Sequence, residues 1–94
     1  MSGFYYEERV LPGETINNID YYAGPVKISI CCWAEKIYLE VNEKWESSLK
    51  DCIETAKEAW CLKDEQIKME GYKATISFDY NNLKHYIEHR ITYY

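Results

Sequence analysis

The stretch KATISFDYNNLKHYIEHRITYY, Lys73 to Tyr94, decides how this chain folds. Ala74, Ile76, Phe78 and Tyr80 alternate with Lys73, Thr75, Ser77 and Asp79, which is the period of a strand with one buried face. Leu83, His85, Ile87, His89, Ile91 and Tyr93 then alternate with Lys84, Tyr86, Glu88, Arg90, Thr92 and Tyr94. Asn81-Asn82 separates the two runs, and asparagine tolerates the positive φ of a two-residue hairpin turn. The implied register sets Tyr80 opposite Leu83, Phe78 opposite His85, Ile76 opposite Ile87 and Ala74 opposite His89. One face is then apolar, and the other begins with Asp79 beside Lys84. A helical reading of Leu83, Tyr86, Ile87, Ile91 and Tyr94 also fits the spacing. Cross-strand agreement and β-branched content favour the hairpin.

Working outward, Ile67 to Met69 forms a short strand that turns at Glu70-Gly71 into the run above, predicting a three-stranded meander. Before it, Trp45, Leu49, Cys52, Ile53, Ala56 and Trp60 recur at three- and four-residue steps. That single apolar stripe predicts a helix from about Glu43 to Leu62, with Asn42 placed to cap it. Further upstream Val26, Ile28, Ile30, Cys32 and Ala34 alternate, and Ile37, Leu39 and Val41 continue with opposite parity. The parity change predicts a turn between Trp33 and Lys36, hence a hairpin opened by Gly24-Pro25. Residues 4–11 read as another strand ended by Pro12-Gly13, while Glu14 to Tyr22 carries no clear period.

These elements predict one α+β domain over residues 1–94. Its antiparallel β-sheet has five to six strands, arranged as a hairpin, one long helix and then the three-stranded meander. The sheet packs on the single α-helix, which covers only part of its width.

Composition narrows the function. Hydrophobic residues make up 47% and charged ones 29%, as in a folded domain. Sixteen acidic side chains stand against eleven basic ones, for a net charge of −5. The whole excess falls in residues 1–60, where eleven carboxylates meet six basic groups. Such a field repels phosphate and steers towards a basic protein partner, so nucleic acid is not an expected ligand. The apolar run Ile28 to Ala34 is far too short to span a membrane, and the first eight residues lack the basic and apolar regions of a secretory signal. A cytoplasmic protein without a membrane partner is the expectation.

The four cysteines, Cys31, Cys32, Cys52 and Cys61, form no Cys-x-x-Cys pair and read as reduced, mostly buried thiols. Residues His85 to His89 match H-x-x-E-H, which on a helix could hold zinc with Glu88 as base. On the predicted strand the two imidazoles lie about 13 Å apart, at ~3.3 Å per residue, too far to share an ion. Neither a metal nor a cofactor is therefore expected. The glycines are isolated, so no phosphate loop is present.

What remains is ten tyrosines in an acidic chain. Tyrosine joins a large stiff ring to a hydrogen-bonding tip, which suits a surface that is wet when free and dry when bound. The outer side of the sheet is accordingly expected to be a negatively charged docking surface. Tyr5, Trp33, Tyr38 and Tyr86 are the candidate anchors, with Glu7, Glu35 and Glu40 steering association. The expected function is a small, acidic, non-enzymatic protein-binding module. It would be an inhibitor or an immunity, antitoxin or anti-defence type of protein that blocks a basic site on its partner. Two alternatives stand beside it: a small enzyme or ligand-binding domain using His85, His89 and a cysteine, and a self-assembling subunit or homodimer.

Overall fold

Two covers share one apolar sheet face in this protein. The computed structural model describes residues 3–8 and 18–94. Strands β1 (Phe4–Glu8), β2 (Asn18–Ala23), β3 (Val26–Cys31) and β4 (Lys36–Glu40) precede helix α1 (Glu46–Trp60). After it come β5 (Ile67–Glu70), β6 (Lys73–Ser77), a short helix α2 (Leu83–Glu88) and β7 (His89–Tyr93). Strands β2-β3-β4-β6-β5 form one antiparallel sheet in that order, and β1 pairs with β7 in a separate two-stranded ribbon. The expected α+β architecture is present, with five strands in its main sheet.

The alternation read from sequence becomes rows of side chains. Tyr21, Ile28, Leu39, Ala74 and Met69 are successive cross-strand partners, as are Ile19, Ile30, Ile37, Ile76 and Ile67. These rows form the inner face, and most of their members are buried. Leu49, Cys52, Ile53, Ala56, Ala59 and Trp60 of α1 pack against it. Each of the larger aliphatic side chains sealed there contributes about 1.5–3 kcal/mol to folding. Trp45, expected in the helical stripe, stays exposed because Glu43–Trp45 is a 3-10 turn whose tighter pitch swings it off the buried face. Asn42 gives no side-chain cap; its carbonyl accepts from the Trp45 backbone N–H at 2.8 Å. The predicted hairpin before the helix is β3–β4, and the Glu70-Gly71 turn joins β5 to β6, with Gly71 at φ 62°. Of the strand read over residues 4–11, Phe4–Glu8 is strand and residues 9–11 lie outside the described residues. The same holds for 14–17 of the ambiguous segment, whose end forms β2.

The last third departs from expectation. Strand β6 already has β4 on one side and β5 on the other, so no edge is left for residues 83–93. The carboxylate of Asp79 accepts from the Asn81 backbone N–H at 2.9 Å. This side-chain turn winds Tyr80–Asn82 into a 3-10 turn that runs straight into α2, in place of a hairpin. His89–Tyr93 is indeed extended, but its partner is β1, with Tyr6 opposite Ile91 and Glu8 opposite His89. The predicted third meander strand is therefore part helix and part ribbon.

The ribbon supplies the missing roof. Phe4 and Ile91 enter the same core as the helix. The Tyr21 hydroxyl accepts from the Ile91 N–H at 3.3 Å, and the Arg90 guanidinium lies over the Tyr21 ring at 4.1 Å. From the helix side, the Trp60 indole N–H donates to the His89 carbonyl at 2.6 Å. The β2–β3 turn fits beneath the ribbon's end. Gly24 sits at φ 59°, and a Cβ there would come within 2.6 Å of the Tyr93 ring. No helix among the described residues is long and apolar enough to cross a membrane.

Trp60→Phe removes the indole N–H that bonds His89, together with part of the buried ring. Urea denaturation should show a loss of at least about 1–3 kcal/mol, because a part-buried carbonyl is left without its donor and a cavity opens beside it. A variant as stable as the parent would show that this bond does not hold ribbon to helix.

Candidate functional site

Four of the seven predicted partner-binding residues lie on one hairpin. Trp33 and Glu35 occupy the β3–β4 turn, and Tyr38 and Glu40 follow on β4. The turn closes with the Glu35 N–H donating to the Cys32 carbonyl at 3.3 Å, and Glu35 adopts φ 54°. This left-handed conformation suits glycine and disfavours a residue with a Cβ. The Glu35 carbonyl also accepts from the Phe78 N–H at 3.0 Å, which ties the turn to the end of β6. Cys32 is buried beneath, while Trp33 is 79% exposed. The tip is thus a large ring held outward on a fixed turn, beside a carboxylate.

Tyr38 and Glu40 point to the uncovered side of the sheet. Tyr38 stands between Ser29 and Thr75, and Glu40 between Lys27 and Lys73. Ser29, Tyr38, Glu40, Glu70, Lys73 and Thr75 border a shallow depression of about 240 Å³. This outer face is not the acidic surface expected from composition. Its strand positions carry Lys27, Lys36, Lys68 and Lys73 against Asp20, Glu40 and Glu70, so its charge is close to balanced. Part of the negative excess falls on residues 43–66, where seven carboxylates meet four lysines. Strands paired side by side bring basic and acidic residues together that lie far apart in the chain.

Tyr5 and Glu7 are elsewhere. They belong to β1 in the ribbon, opposite Thr92 and Arg90, on the side of the sheet that the helix covers. Tyr5 is exposed and Glu7 half-buried. Tyr86 is a correction: it is only 4% exposed, with its ring 5.7 Å from Trp60 and 5.0 Å from Phe78. The helical turn of α2 aims it into the core, where a strand would have turned it outward. Burial also pushes its phenol pKa up from the ordinary value. It cannot anchor a partner.

The histidines also differ from expectation. With Leu83–Glu88 helical, the His85 and His89 rings lie 4.2 Å apart, not on separated strand positions. One His89 ring nitrogen meets the His85 carbonyl at 3.0 Å, and the other faces the Glu8 carboxylate at 3.5 Å. Both nitrogens of His89 are therefore engaged by protein groups. Among the described residues no group of three or more histidine, cysteine or acidic side chains is placed to hold a metal ion. A second depression, about 450 Å³, runs between α1 and β5 over Ile53, Ile67 and Met69. Its rim charges are partly matched within the chain, with Lys57 at 2.9 Å from Asp64 and 3.6 Å from Glu54.

All four cysteines are free thiols, with Cys32 and Cys52 buried, Cys31 partly covered and Cys61 exposed. Cys61 is exposed because it ends α1 in the left-handed conformation, φ 52°, beyond the helical stripe. Burial pushes the Cys52 thiol up from 9.0 to about 12, and burial raises Cys32 as well. Comparison with protein-family models, curated proteins and solved structures finds no match to this chain.

Thiol chemistry tests this arrangement. In the native protein at neutral pH, mass spectrometry after alkylation should find Cys61 modified first, Cys31 more slowly, and Cys32 and Cys52 only on unfolding. Below pH 9 Cys52 is protonated in both folded and unfolded chains, so its contribution is constant. Between pH 9 and about 12 the unfolded chain ionises while the folded one holds the proton, so stability falls. The expected slope is about 1 kcal/mol per pH unit, and it should be missing from Cys52→Ala. Equal slopes in the two proteins would rule out Cys52 as its source.

Proposed function

We propose that this chain is a non-enzymatic protein-binding module of the inhibitor type, comparable in kind to immunity or anti-defence proteins, that blocks a basic site on its partner. The observation that carries this reading is the β3–β4 tip, where Trp33 is 79% exposed beside a glutamate held at φ 54°. A single glycine at position 35 would relieve the backbone cost, of order 1 kcal/mol. A chain that keeps glutamate there gives up stability for a carboxylate next to an exposed indole. Tryptophan is the residue most enriched among interface hot spots, and a fixed turn loses little entropy when it docks.

Charge supports the same partner class. The net −5 supplies a long-range pull towards a basic surface, and Glu35 supplies a local one. Tyr38 and Glu40 share the hairpin but belong to the charge-balanced sheet face, so the anchoring role falls on Trp33.

A photo-crosslinking residue at position 33 should capture a protein with a basic patch from the native host, whereas the same group at Glu58 should not. Against that purified partner, Trp33→Ala should weaken binding by roughly thirtyfold or more. Glu35→Lys should slow association, and the difference should shrink as salt is raised. A Trp33→Ala variant that binds like the parent would defeat the reading.

A further inference from the structure

We propose that this chain associates with a second copy of itself through the outer face of the five-stranded sheet. The two-fold axis runs parallel to the strands and between β4 and β6. The inference is independent of the role given to Trp33 and rests on the order of charges across that face.

The β-pairing sets Tyr22, Lys27, Glu40, Lys73 and Glu70 in one row across β2, β3, β4, β6 and β5. From β3 outward the charges alternate: positive, negative, positive, negative. Part of such a pattern supports the sheet itself, since opposite charges on neighbouring strands attract. Yet Lys27, Glu40 and Lys73 make no ion pair within 4.0 Å with another described residue, while Glu70 is held by Lys68 at 3.0 Å. Three of the four charges are therefore available to another molecule.

A two-fold interface requires a surface to complement itself. Placing the axis along β4 would set Lys27 on Lys73 of the second copy, and along β6 it would set Glu40 on Glu70. Both are like-charge contacts. An axis between β4 and β6 sets Lys27 against Glu70 of the second copy and Glu40 against Lys73, each occurring twice. The next row then places Tyr38 over Thr75 and Ser29 over Lys68, and the row beyond it Lys36 over Ser77. No like charges meet. Two sheets packed face to face with nearly aligned strands tolerate this arrangement.

The face is small. The axis between β4 and β6 overlaps only β3, β4, β6 and β5; four strands at ~4.8 Å spacing, with about three outward residues each, give roughly 300 Å² per copy, or about 600 Å² in total. That area belongs to weak, reversible association. Sedimentation equilibrium of the full chain at low salt should show monomer and dimer exchanging at roughly hundred-micromolar protein, with dimer lost as salt rises. Glu40→Lys alone and Lys73→Glu alone should each weaken self-association by roughly tenfold or more. An equimolar mixture of the two variants should restore it, because the Lys at 40 then meets the Glu at 73 and the native Lys73 meets the native Glu40.

Mixing leaves the charge clash inside each variant unchanged, so restoration cannot arise from a repaired fold. A parent protein that stays monomeric to about 1 mM, a concentration well above that expected for a face of this size, would overturn the proposal. So would a mixture no more associated than its components, or association unaffected by either substitution.

Discussion

A five-stranded sheet with one apolar face needs a roof about twice as wide as one helix. Four inter-strand gaps span ~19 Å, and an α-helix with its side chains covers about 10–12 Å. Everything distinctive in this fold answers that mismatch. Helix α1 covers part of the face with Leu49, Cys52, Ile53, Ala56 and Trp60. The β1–β7 ribbon covers more, inserting Phe4 and Ile91. The ribbon pairs Phe4–Glu8 with His89–Tyr93, so this part of the roof depends on contacts between residues far apart in sequence. The bonds from Trp60 to His89 and from Ile91 to Tyr21 are where ribbon meets helix and sheet.

The same constraint explains why residues 83–93 do not continue the sheet. Apolar alternation over a short window is compatible with a strand and with one and a half turns of helix, as Leu83, Tyr86 and Ile87 illustrate. What separates them is whether an edge is open and what the turn does. Strand β6 has neighbours on both sides, and Asp79 starts a helical turn by bonding to Asn81. Only then does Tyr86 turn inward, between Trp60 and Phe78, and only then do His85 and His89 approach each other.

The surface shows how linear charge counts mislead once strands pair. The first sixty residues hold the entire negative excess, yet the outer face they help to build is nearly neutral because Lys68 and Lys73 come from the other side of the helix. A field therefore persists along residues 43–66, while the sheet presents an ordered alternation of sign. These are two surfaces of different character, one with an excess of carboxylates and the other close to neutral. The exposed indole of Trp33 stands apart from both patterns, fixed by the backbone bond between Phe78 and Glu35.

The sequence by itself determined a helix that contains Glu46–Trp60, the β3–β4 hairpin with its turn at Trp33 to Lys36, the β5–β6 turn at Gly71, and which side of β3, β4 and β6 is apolar. Those features follow from periods of 2 and 3.6 residues and from local turn chemistry, which nearest neighbours in the chain dictate. It also placed Trp33 and Glu35 in that turn, because the parity of the apolar residues changes there. Only the tertiary structure decided that Tyr86 is buried, that Tyr5 and Glu7 lie on a ribbon apart from Tyr38 and Glu40, and that lysines flank Glu40 on both sides. Those outcomes depend on which strands lie side by side. That choice is made by competition for one shared apolar face, which no local window contains.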